Sequence, residues 1–124
     1  MIYLDTHVVV RLYAGDVEEL GAAARKSIEE NDLLISAAVL LELEFLHEIG
    51  LLQPGAANVA ATLAEAIGLR VCDLPFRTVV EHALKESWGR DPFDRLIVAN
   101  AKARRAPLVT KDERVRRHFA ATIW

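Results

Sequence analysis

With 124 residues, the chain has room for one ordinary domain with a real core and too little for two, so a single domain over residues 1–124 is expected. A formal net charge of −3 excludes a protein that holds nucleic acid through overall positive potential, although a local basic patch is compatible with it. One cysteine, Cys72, excludes an internal disulfide, and with neither a leader-like start nor an apolar run of bilayer length, a cytoplasmic protein with no membrane partner is expected.

Ile2 to Leu4 is a short apolar run ending at an acid, which suits a buried strand with Asp5 on its C-terminal tip. Val17 to Glu30 has helical spacing and good helix formers; Asn31-Asp32 breaks it before a second apolar strand, Leu33 to Ile35. Ser36 is a suitable N-cap for an apolar helix from Ala37 to Ile49, and Gly50 suits the left-handed residue after its end. Pro54 opens a further helix through Ile67, closed by Gly68. Arg70 to Leu74 reads as a third strand carrying a buried, inert Cys72, and Phe76 to Trp88 as helix. Asp91-Pro92 reads as a cap followed by proline at the first helical position, opening a helix through about Arg105. Pro107 to Thr110 is a fourth strand with Asp112 just after it, Glu113 to Phe119 a last short helix, and Ala121 to Trp124 a terminal edge strand.

Apolar strands alternating with helices predict an α/β fold: a three-layer α/β/α sandwich around a mainly parallel sheet. Ligands of such sheets bind beyond the carboxyl ends of the strands, where Asp5 and Asp112 both fall. Two helical acids raise the same question. Glu42 has Ala38, Val39, Phe45 and Leu46 as its three- and four-spaced neighbours, an apolar stripe on which an unpartnered carboxylate is costly. Its ordinary alternative is a partly exposed acid at a helix edge. Glu44 reads as solvated surface. Asp94 faces Ile97, Val98 and Ala101, while Asp91 with Asp94 also resembles a capping arrangement. Asp5 as a turn acid and Asp112 as a helix cap are equally ordinary on their own.

Independent capping does not predict four carboxylates from four elements at one sheet edge. Such a group repels, at about 4 kcal/mol for a pair 4 Å apart in an effective dielectric near 20, so something positive must compensate. Carboxylate and water ligands suit Mg²⁺ or Mn²⁺, and the lack of grouped His or Cys argues against zinc. His7, His47, His82 and His118 have no ligand-like spacing; the last three fall on expected helix surfaces, and His7 has no assigned role. Lys102, Arg104, Arg105, Lys111, Arg114, Arg116 and Arg117 cluster toward the C-terminus, as an RNA-steering patch or as a solvated helix face.

The segments Tyr3-Leu4-Asp5-Thr6-His7, Ile35-Ser36-Ala37 with Glu42, Asp91-Pro92-Phe93-Asp94-Arg95-Leu96-Ile97 and Leu108-Val109-Thr110-Lys111-Asp112 resemble the PIN domain family. More narrowly they are similar to the VapC-type toxins of toxin–antitoxin pairs, across essentially the whole chain. The resemblance implies a PIN-like fold and a Mg²⁺- or Mn²⁺-dependent endoribonuclease whose core acids fall on Asp5, Glu42, Asp94 and Asp112. It also implies auxiliary roles for Thr6, Asp91 and Thr110, RNA as substrate, a cognate antitoxin partner and homodimers. Two departures bear on substrate preference: Arg11 stands where relatives of this type often carry an aromatic residue, and Gly89-Arg90 replaces a histidine frequent before Asp-Pro-Phe-Asp.

Other chemistries fit less well. A phosphatase with a nucleophilic aspartate usually carries a second Asp two positions on, where this chain has His7. A housekeeping RNA-processing nuclease and a non-catalytic protein-binding module of the same fold are the remaining alternatives.

Overall fold

The computed structural model describes residues 1–124. Five strands form one sheet: β1 (Ile2–Leu4), β2 (Leu33–Ile35), β3 (Arg70–Val71), β4 (Leu108–Val109) and β5 (Thr122–Ile123). Their order is β3-β2-β1-β4-β5 and every neighbouring pair is parallel. The helices are α1 (Thr6–Ala14), α2 (Ala22–Glu30), α3 (Ala37–Glu48), α4 (Ala56–Ile67), α5 (Phe76–Ala83), α6 (Pro92–Ala103) and α7 (Glu113–His118). Ile2, Tyr3 and Leu4 alternate between the faces of the sheet and are all buried, so both faces of the central strand are covered, as the expected sandwich requires.

Local signals set most boundaries. The Ser36 hydroxyl accepts from the amide of Ala38, and Gly50 and Gly68 adopt φ of +81° and +72° where α3 and α4 end. Several expectations are corrected. Val17–Glu30 is not continuous helix: a 3₁₀ turn over Val17–Glu19 precedes α2, because Gly21 adopts an extended N-cap conformation. The helix expected from Pro54 starts at Ala56. There Glu44, expected as plain surface, reaches across from α3 to accept the Ala56 amide at 3.0 Å. The third strand is only Arg70–Val71, both exposed, as fits an edge position. Cys72 lies beyond it, buried, with Sγ accepting from Asn100 Nδ2 at 3.0 Å. α5 stops at Ala83, five residues short of Trp88.

The sequence reading holds no counterpart of α1. Val8-Val9-Val10 is a β-branched run that disfavours helix, but Asp5 caps the N-terminus by accepting from the Thr6 amide and Gly15 closes the other end in the left-handed region. Burial of Val8 and Val9 against the core outweighs their propensity.

The chain leaves β1 toward β2 on one side and later places β4 on the other, so β1 and β4 flank the point where strand order reverses. Crevices in open parallel sheets form at that point, beyond the carboxyl ends of the strands.

Candidate active site

The β1–β4 register pairs Leu4 with Val109, so the next residues, Asp5 and Thr110, come side by side at the strand tips. The Asp5 amide donates to the Val109 carbonyl, and the buried Thr110 hydroxyl donates to Asp5 Oδ2 at 2.7 Å. Thr110 Oγ1 also accepts from the Asp112 amide at 3.1 Å, which turns the chain so that Asp112 faces the same crevice. Asp112 caps α7 as well, through bonds to the Arg114 and Val115 amides. Its capping and its place in the cleft are thus not alternatives.

Glu42 comes from α3 and Asp94 from the first turn of α6; the Phe45 and Phe93 rings meet edge to face, with centroids 5.6 Å apart, beside these two acids. Glu42 is half-buried at the margin of its apolar stripe rather than on its centre, since Phe45 and Leu41 are themselves exposed. Thr6 Oγ1 donates to Glu42 Oε1. One cleft of about 420 Å³ is lined by all four acids together with Thr6, His7 and Arg11. Asp91 is exposed outside that lining and caps α6 through the Phe93 and Asp94 amides.

Electrostatics mark the cleft. Burial, then repulsion from Asp91, Asp5, Asp112 and Glu42, pushes the Asp94 carboxyl up to about 7. Burial raises Glu42 too, with Asp5 and Asp91 adding to the shift and the Thr6 hydrogen bond opposing it. No three of these groups stand close enough to hold one ion as they lie. Carboxylates gathered this way repel one another, and a divalent cation would relieve that repulsion. The donor set is all oxygen and so suits a hard cation.

Two cleft residues have positions that sequence reasoning missed. His7 accepts the Lys111 amide on Nε2 at 3.1 Å, which makes the ring neutral with its proton on Nδ1, 3.6 Å from Asp5 Oδ2. Burial lowers its pKa in the same sense, and its ring meets Trp124 edge on at 5.9 Å. His7 thereby ties α1 to the turn bearing Asp112. Arg11 lies four residues on, on the same face of α1; the spacing was visible, but only within a helix that propensity disfavours.

Of the C-terminal basic residues, Lys102 and Arg104 are corrected: both are committed to ion pairs, with Glu86 and Asp73. Lys111, Arg114, Arg116 and Arg117 are exposed and hold no ion pair. Arg114 donates to the Trp88 carbonyl, in the loop before α6.

The chain has relatives among known proteins. A family model described as PIN domain matches residues 2–119. The chain is 33% identical over 128 residues to Ribonuclease VapC22 of Mycobacterium tuberculosis, covering 99% of this chain and 98% of that protein. A solved chain from a toxin–antitoxin complex of Klebsiella pneumoniae superposes with a TM-score of 0.66 at 15% identity, covering 100% of this chain and 97% of that one. A chain of VapBC2 from Rickettsia felis, solved bound to a DNA fragment from its promoter, gives 0.59 at 21% identity, covering 94% and 92%. At these identities the two structures bear on the fold alone.

Proposed function

The chain belongs to the PIN domain family, and from that membership and its acidic cleft we propose that it is a metal-dependent endoribonuclease, the toxin of a toxin–antitoxin pair. The observation that carries the reading is Asp94, half-buried in one cleft with Asp5, Glu42 and Asp112 and lifted to about 7 by burial and then by repulsion from the acids around it. The full-length similarity to a VapC-type ribonuclease supports RNA as substrate and an antitoxin as partner. The whole chain acts as one PIN domain, and it forms homodimers.

Asp5, Glu42, Asp94 and Asp112 would hold Mg²⁺ or Mn²⁺. When bound, such a cation supplies Lewis acidity, drawing charge from phosphate oxygens and making water more acidic. The remaining work belongs to the chain. Thr110 and Thr6 fix the Asp5 and Glu42 carboxylates by donating to them, leaving their other lone pairs for the cation. Asp91 presets the α6 terminus from which Asp94 projects and adds to the negative field. Asp94 must give up its proton for the site to fill, so filling is favoured as pH rises through 7. Lys111, Arg114, Arg116 and Arg117 attract the phosphate backbone. No side-chain nucleophile is required, because water can attack the phosphorus, one ester P–O bond breaks, and the leaving oxygen takes up a proton.

The test is cleavage of a structured RNA with Mg²⁺, with chelator, and by Asp5→Asn and Asp94→Asn variants. Each amide keeps the size of the carboxylate it replaces, and in Asp5→Asn the side-chain carbonyl oxygen still caps α1. Loss of one ligand should slow cleavage about a thousandfold, ~4 kcal/mol of barrier. Undiminished cleavage by both variants refutes the site.

A further inference from the structure

Arg11 is the single formal cation lining the acidic cleft, since the His7 ring is neutral and Lys111, Arg114, Arg116 and Arg117 lie outside the lining. Its charge is not spent on the cleft acids. Nε donates to Glu19 Oε2 at 3.2 Å, on the 3₁₀ turn after α1, and Nη1 donates to the His7 carbonyl at 3.4 Å. Those bonds engage two of the five N–H groups a guanidinium carries. The arginine side chain is 21% exposed and Glu19 58%, so the cation is held while its partner stands largely in water. An ion pair that exposed is weak and yields to an anion offering paired oxygens in the plane of the guanidinium. A phosphodiester is such an anion.

We propose that Arg11 binds a backbone phosphate of the RNA adjacent to the scissile one, and that Glu19 occupies its guanidinium until RNA displaces it. The inference rests on the ribonuclease reading above and adds where the substrate backbone runs: along α1, four residues or about 6 Å beyond His7. Glu19 therefore weakens substrate binding, and Arg11 strengthens it.

Paired substitutions separate this role from a purely structural ion pair, because Arg11→Gln and Glu19→Gln remove the same contact. Affinity for a single-stranded RNA is measured in chelator across a salt series, and steady-state cleavage is measured with Mg²⁺. Arg11→Gln should raise KM about tenfold with kcat within about twofold, and make the slope of log affinity on log salt shallower by about 0.7. Arg11→Lys, which keeps the charge and loses the fork, should recover the slope but only part of KM. Glu19→Gln should lower KM. Opposite signs for Arg11→Gln and Glu19→Gln support the proposal; equal losses, or a wild-type KM and slope in Arg11→Gln, overturn it. A wild-type chain that cuts RNA while Arg11→Gln is indistinguishable from it sinks only this inference, whereas a chain that neither binds nor cuts RNA sinks the ribonuclease reading as well.

Discussion

Glu86 and Asp94 are both carried out of water, and the fold treats them in opposite ways. Glu86 is 4% exposed, and each of its oxygens is met: Lys102 Nζ lies 2.6 Å from Oε1, and Trp88 Nε1 donates to Oε2 at 2.6 Å. Lys102 also lies over the Phe119 ring, 5.3 Å from its centre, so the pair ties the loop after α5 to α6 and to the residue after α7. Asp94 has no hydrogen bond supporting its ionised form and four other acids acting on it. A buried charge is tolerable when paired and costly when not. Where a carboxylate serves only to fasten the structure, this fold provides its partner; in the cleft no cation pairs with Asp94.

The largest way to sharpen that contrast is to supply the charge. At pH 8, Mn²⁺ at about a hundred times its dissociation constant should stabilise the chain against unfolding by ~2.7 kcal/mol. Thermal melts should show this gain lost in Asp94→Asn and kept in Glu86→Gln. A gain that survives in Asp94→Asn would mean the cation binds elsewhere.

A smaller effect comes from breaking the satisfied pair. Glu86→Gln strands the Lys102 ammonium, which at 34% exposed recovers part of its hydration, so the cost should be about 1–2 kcal/mol, or roughly 4–8 °C in Tm. Cleavage per folded molecule should hardly change. A rise in Tm would break the comparison.

The smallest effect concerns the unsatisfied acid in chelator. Because the folded-state pKa of Asp94 is raised above its ordinary 3.8 to about 7, its contribution to stability is complete below pH 4 and is lost as pH climbs through 7. Asp94→Asn removes that loss. The variant should melt as wild type does near pH 4 and higher at pH 8, by on the order of 4 °C. A variant that melts lower at pH 8 would show that the carboxylate is supported by something the contrast leaves out.

What was legible in the sequence was what neighbouring residues settle. Ser36, Asp91 and Asp112 cap helices through amides two or three positions on, Gly50 and Gly68 end them, and apolar runs bounded by acids mark the strand tips. The alternation of elements, the parallel sheet and the four cleft acids follow from signals of that range. Local propensity failed at α1, where the burial of Val8 and Val9 overrode β-branching, and at Glu44, whose partner is the amide of another helix.

Only the tertiary structure decided how the acids are held and which charges are free. Thr110 and Asp5 meet across 105 positions because of one strand register, and a shift by one residue would turn either side chain to the other face. Likewise nothing near Lys102 or Arg11 says that the first is consumed by Glu86 while the second lines the cleft. Caps and periodicity act within a turn or two of chain, whereas pairing of charges depends on where distant segments pack, and that is settled only when the whole core closes.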